Sequence, residues 1–143
     1  MSPAEAARRL GIDVRGIVLE INGRLCSRAV RGVNIMRNAA IEVLSQNGTG
    51  RTYKRGKRGV HVASAPGQPP APDTGNLRRN WRRQTYAHPN GKGLGVSVHM
   101  RITSDMFYQK FLEFGTRKMA PRPHQERIRT KARPKVAALF ADI

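Results

Sequence analysis

The chain has 143 residues and carries 27 Lys and Arg against 9 Asp and Glu, a formal net charge of +18. This length fits one domain over 1–143, and the charge sets aside a near-neutral metabolic domain in favour of a chain that meets polyanions or acidic faces. The lone cysteine, Cys26, excludes an internal disulfide, and His61, His88, His99 and His124 lack metal-site spacing; no metal, no other cofactor, no membrane span and no secretion leader are expected.

Residues 1–46 read as helical. Ser2-Pro3-Ala4-Glu5 is a capping box with proline at the first helical position, opening a short helix to Leu10. After Gly11, the residues Val14, Ile17, Val18, Ile21, Leu25, Ala29, Val33, Met36, Ala40 and Val43 recur at helical steps, which predicts one long amphipathic helix from Asp13 to Ser45. Gly16, Gly23 and Gly32 each cost it about 1 kcal/mol relative to alanine, so packing rather than propensity must hold it. Asn47-Gly48 supplies the stop.

Residues 47–77 form a long Gly/Pro-rich basic arm. Arg51–Tyr53 and Val60–Val62 suit a short strand pair around a basic turn, while Ala65 to Asp73 should be extended and polyproline-like. A loop this long in a compact domain is functional or disordered, and it is expected to order against neighbours.

Residues 78–103 read as a hairpin. Strict alternation over Leu94 to Ile102 predicts a strand with one buried face, Arg79 to Ala87 predicts its partner, and His88-Pro89-Asn90-Gly91-Lys92-Gly93 turns between them. His99 falls on the polar face. Residues 104–143 return to helix: Asp105 caps a short one bearing Phe107, Tyr108, Phe111 and Leu112 and ended by Gly115, and Pro123 opens a last one that Pro134 should kink or split. The expected class is α+β, with the long N-terminal helix and the C-terminal helices packed on a small antiparallel sheet. Its open edges invite pairing with another subunit.

No enzymatic constellation stands out. The nine acids are dispersed, and Glu113 reads as an ion-pair partner for Arg117 or another basic neighbour rather than a general base. Cys26 reads as a small core or interface residue. Trp81 and Tyr86 interleave with Arg79, Arg82 and Arg83, which is also the chemistry of a single-strand stacking surface, but Trp81 reads first as a core anchor.

Two stretches resemble a known family. Ala65-Pro66-Gly67-Gln68-Pro69-Pro70-Ala71-Pro72-Asp73-Thr74-Gly75-Asn76-Leu77-Arg78 is similar to the Ala-Pro-Gly-x-Pro-Pro…Thr-Gly-x-Leu arm of the small neck and tail-completion (head-tail connector) proteins of long-tailed bacteriophages and related phage-like particles. Tyr108 to Pro123, containing Phe111-Leu112-Glu113-Phe114-Gly115-Thr116 and Pro121-Arg122-Pro123, resembles that family's second signature. The resemblance implies a non-enzymatic virion protein, made in the bacterial cytoplasm, that forms a ring with copies of itself, most often six. The ring would join the head connector or stopper to the tail terminator or tail tube and surround the channel through which DNA passes without sequence specificity.

The motif residues Pro66, Gly67, Pro69, Pro70, Thr74, Gly75, Glu113 to Thr116 and Pro121 to Pro123 are then expected to make turns and ring contacts. Arg51, Lys54, Arg55, Lys57 and Arg58 are expected to touch an adjacent ring, because arginine lining the channel would retard DNA. From a different class, the same loop and hairpin suit a nonspecific DNA- or RNA-binding protein, recognisable by a steep salt dependence.

Overall fold

The computed structural model describes residues 1–11, 14–90 and 95–143. Asp13, Leu94 and the Gly91-Lys92-Gly93 part of the expected turn lie outside them. The fold is α+β, with helices packed on small antiparallel sheets.

Helix α1 spans Pro3–Arg9, and its capping box is formed as the sequence predicts: Glu5 N donates to Ser2 Oγ at 3.2 Å and Ser2 N to Glu5 Oε2 at 2.7 Å. Helix α2 runs Val14–Val43, thirty residues, or roughly 45 Å at 1.5 Å per residue. It ends two residues before the expected Ser45, where Leu44 N still reaches Ala40 O at 3.0 Å but the chain then turns.

The segment 47–77 begins with the strand pair the sequence predicts. Its first half is a hairpin of β1 (Thr52–Lys54, one residue later than expected) and β2 (Val60–Val62), joined by a 3₁₀ turn at Gly56–Arg58. The rest folds back on its own chain, with Ser64, Pro69 and Pro70 buried. Backbone groups there cannot be left unpaired once buried, and this chain supplies partners: Gly50 N bonds Ala63 O at 2.7 Å and Ala65 N bonds Gln68 Oε1 at 2.8 Å.

A short helix α3, Asn76–Arg79, stands where the hairpin strand was expected to begin, so Arg79 is helical. Gly75, at φ 79°, makes the turn into it, and Arg79 Nη2 bonds Thr74 O at 2.8 Å. The hairpin itself is β3 (Trp81–Pro89) and β4 (Val96–Ser104), in register from Trp81 opposite Ser104 to Pro89 opposite Val96.

Helix α4 is Gln109–Phe114. Asp105 does not cap it; its carboxylate is taken by Arg82, so Phe107 and Tyr108 precede the helix rather than belong to it. Helix α5 is Gln125–Phe140 and is not split at Pro134. That proline is exposed, so the carbonyl it leaves free faces water and the buried side of the helix continues. Pro123 stands two residues ahead of α5, and His124 is the cap position.

The core forms where the C-terminal half of α2, α5 and the β3–β4 hairpin meet: Ala39, Ala40, Val43, Leu44, Trp81, Ile128 and Ala132, with Met36, Leu77, Ile102 and Val136 packed against them. Trp81 is the core anchor expected, only 7 % exposed, and Arg37 Nε donates to its carbonyl at 3.3 Å. Gly32 makes room for the hairpin's Met100, since a Cβ there would lie 2.6 Å from Met100 Sδ. Among the described residues no helix is long and apolar enough to cross a membrane.

Candidate functional site

The two stretches singled out in the sequence, about thirty residues apart, meet at the start of α5. Glu113, the last acid of α4, turns its carboxylate onto the first amides of α5: Oε2 accepts from His124 N at 2.9 Å and Gln125 N at 3.2 Å. It therefore does at a distance what a capping side chain does locally, placing negative charge on unsatisfied amides at the positive end of a helix. The same oxygen lies 2.9 Å from His124 Nδ1. Arg122 O is 3.2 Å from that nitrogen. Both neighbours are acceptors, so the ring hydrogen sits on Nδ1.

Of the partners expected for Glu113, Arg117 or another basic neighbour, the structure supplies the neighbour, His124, together with the α5 amides. His124 is fully buried, edge-on to Trp81 with ring centroids 6.4 Å apart, and its Nε2 has no hydrogen-bond partner. An isolated histidine carries little signal in a sequence. Its place just after Pro123 and four residues before the apolar Ile128 was the available hint that it opens a buried helix.

Around this pair the chain is tied five further times. Arg122 N donates to Leu112 O at 2.7 Å, closing the α4–α5 connection, and Gly67 N donates to Pro121 O at 3.1 Å, pinning the arm to it. Arg122 Nη1 reaches the buried Ser64 Oγ at 2.6 Å, and Arg127 Nη2 bonds Gly67 O at 3.0 Å. Thr116 and Met119 form a tight bridge, with Thr116 N to Met119 O at 2.9 Å. Gly115 enters that bridge at φ 77°, where a Cβ would sit 2.8 Å from Met119 O, so only glycine fits without strain.

Of the motif residues, Gly67, Glu113, Gly115, Thr116, Pro121 and Arg122 are brought together in this interlock, and Pro70 lines the cleft beside Arg122. Thr74 and Gly75 stand beside it at the start of α3. Phe114 is not drawn in and remains 76 % exposed.

The basic cluster lies elsewhere, on the β1–β2 hairpin. Arg51, Lys54, Arg55, Lys57 and Arg58 are all exposed. Arg51 and Arg55 each stack a guanidinium over Tyr53, 5.4 Å from its centroid, and His61 stacks on the same ring at 6.5 Å. Arg55 also pairs with Asp73 at 3.0 Å.

On the second hairpin Tyr86 is exposed under Arg101, at 5.6 Å, and His99 meets His88 edge-on at 5.7 Å. Cys26 is half-buried and free. Among the described residues, no group of three or more His, Cys, Asp or Glu side chains could hold a metal ion.

The chain matches no family model, no curated protein and no solved structure.

Proposed function

We infer that the protein is a non-enzymatic structural subunit of a ring at the head–tail junction of a long-tailed bacteriophage or a related phage-like particle. There it joins the head connector to the tail around the DNA channel. The observation that carries this reading is the interlock. The two stretches that resemble the neck and tail-completion proteins are tied to each other by Gly67 N on Pro121 O, and Arg122 of the second reaches Ser64 at the edge of the first, so their residue types serve one local architecture rather than recurring by chance in two loops.

A second feature supports it. Leu10, Ile17, Leu19, Ile21 and Val30 are large apolar side chains left exposed along α1 and α2, as befits a subunit completed by neighbours. Copies of the chain, six in the family it resembles, would cover them.

The test is electron microscopy of particles from a producer strain lacking the gene. Filled heads lying apart from finished tails are expected, restored by the wild-type gene in trans. Normal tailed particles would refute the reading.

One observation favours a nonspecific nucleic-acid-binding protein instead: the exposed Tyr53 flanked by two guanidiniums among Lys54, Lys57 and Arg58. That protein would lose about three orders of magnitude of DNA affinity between low and physiological salt if it made six or more phosphate contacts. The ring subunit as a free chain would show little stable binding at either.

A further inference from the structure

Between the β1–β2 hairpin and the interlock lies a cleft of about 550 Å³, within the range of sites that take a small ligand or a few side chains. One wall is the hairpin, with Tyr53 and Arg55; the other is the α4 region, with Tyr108, Met119 and Arg122; Arg78 of α3 stands at the rim. Leu44 and Leu112 also line it, continuing the apolar surface of the core outward. The single carboxylate in the lining, Asp73, is already held by Arg55 at 3.0 Å.

Two tyrosines, a methionine and three arginines, without lysine or glutamate among the described lining residues, is the composition of a protein-binding hot spot. Interface centres are enriched in aromatic residues, methionine and arginine and depleted in lysine and acids. A nucleic-acid backbone selects differently, for a polar and strongly cationic surface in which lysine serves as well as arginine.

The three guanidiniums have spare donors. Arg78 Nη1 reaches Ser45 Oγ at 3.4 Å, Arg122 Nη1 reaches Ser64 Oγ at 2.6 Å, and Arg55 Nη2 reaches Asp73. Each guanidinium has five N–H donors in a fixed fork that suits carboxylates bidentately. A second copy of this chain is a poor occupant. At +18, with 27 basic residues to 9 acids, it brings mostly like charge.

We propose that this cleft docks an acidic peptide segment of a different chain, seating one aromatic or large apolar side chain between Tyr53 and Tyr108 while flanking carboxylates meet Arg55, Arg78 and Arg122. For the origin of that segment the proposal rests on the ring reading: it belongs to an adjoining component of the junction. The basic hairpin then acts as one jaw of a clamp, with its lysines outside the cleft.

Fluorescence anisotropy on the purified full chain tests this. The probes are a labelled peptide of Glu and Asp with one central Phe, the same peptide with Ser for Phe, and a labelled oligo-dT of equal charge. The Phe peptide is expected to bind about 10-fold or more tightly than the Ser peptide, and to lose about 10-fold or more on Arg55→Glu combined with Arg78→Glu. Arg133→Glu, on the exposed side of α5 and outside the cleft, should leave it within about 2-fold.

Tyr53→Ser provides the variant least able to disturb folding, since Tyr53 is 40 % exposed; it should weaken the Phe peptide and leave the Ser peptide unchanged. Equal binding of the two peptides, equal loss on Arg133→Glu, tighter binding of oligo-dT, or no binding of the Phe peptide would each overturn the proposal. None of these bears on the particle morphology that decides the ring reading. Normal particles from the strain lacking the gene would remove that reading while leaving the peptide result standing.

Discussion

The two ends of α2 carry one apolar repeat and meet different surroundings. Toward the C-terminus Val33, Ala40 and Val43 are at most 3 % exposed, whereas Ile17 and Ile21, on the same repeat, are 49 % and 45 % exposed. The helix is continuous between them. What changes is the cover from α5, which among the described residues meets α2 as far back as Arg28, whose Nη1 bonds Leu139 O at 2.9 Å. Periodicity states which side of a helix needs cover; it does not state whether the same chain supplies it. In the ring reading the N-terminal half is the part a neighbour completes, and the C-terminal half is the part that must fold first.

Truncation sharpens this contrast most. Leu44→Ala, at a residue 1 % exposed, should destabilise the isolated protein by about 2–5 kcal/mol in denaturant unfolding. Ile21→Ser should change the same measurement by no more than about 0.5 kcal/mol yet impair incorporation into particles. Equal destabilisation by the two would mean that the N-terminal half already shares the core.

Glycines make the comparison a second way. Gly115→Ala forces a side chain into φ 77° and against Met119 O, and should cost about 2 kcal/mol, read as a lower midpoint of thermal unfolding. Gly23 lies in the projecting half with nothing within 4 Å of an added Cβ, so Gly23→Ala should stabilise by up to about 1 kcal/mol. Opposite signs from one substitution would separate a locked turn from an open helix.

Within the interlock, Glu113→Ala leaves the His124 and Gln125 amides without their acceptor and should cost about 1–3 kcal/mol. Glu113→Gln keeps a side-chain carbonyl and should recover part of that loss. If both variants were equally destabilised, the carboxylate's charge rather than its hydrogen bonds would hold the start of α5.

Much of the local architecture was legible in the sequence because short-range chemistry dictates it. The capping box at Ser2 and Glu5, the α2 repeat, the alternation around Val98 and Met100, the anchor at Trp81 and the stop at Gly115 all act within a few residues. What was not legible depends on distant partners. Asp105 looks like a helix cap until Arg82 claims it, and Glu113, legible as an ion-pair partner for some basic neighbour, also caps the α5 amides, which only the fold brings to it. That the arm finds partners within its own chain, where Pro121 and Arg127 meet Gly67, was not legible either. Pro134 looks like a break because a sequence does not reveal which side of a helix faces water. Of the candidate site, the motif residues and the basic cluster were both visible. Their division into a lock and a hairpin jaw, and the cleft between them, required the fold.

Acid should separate the two regions by the smallest margin. The hydrogen bond from Lys131 holds the Glu42 carboxyl below its ordinary 4.5, and the hydrogen bond from Arg28 holds that of Asp142 below its ordinary 3.8. The first pair ties α2 to α5 and the second ties α2 to the chain just beyond the end of α5. A carboxyl depressed in the folded state adds stability above its unfolded value and loses it as pH falls through the folded one. The two ties therefore act in full above about pH 5 and fail progressively below about pH 4. Both carboxylates are exposed, so the effect is small and fades with salt. General charge repulsion also grows in acid, so the informative comparison is with Glu42→Gln combined with Asp142→Asn, which should flatten the acid slope of thermal stability. Glu5 is depressed as well, by its bonds to Ser2, but α1 buries no residue. Its protonation should fray α1 in amide exchange and leave the melting of the α2–α5 core where it was.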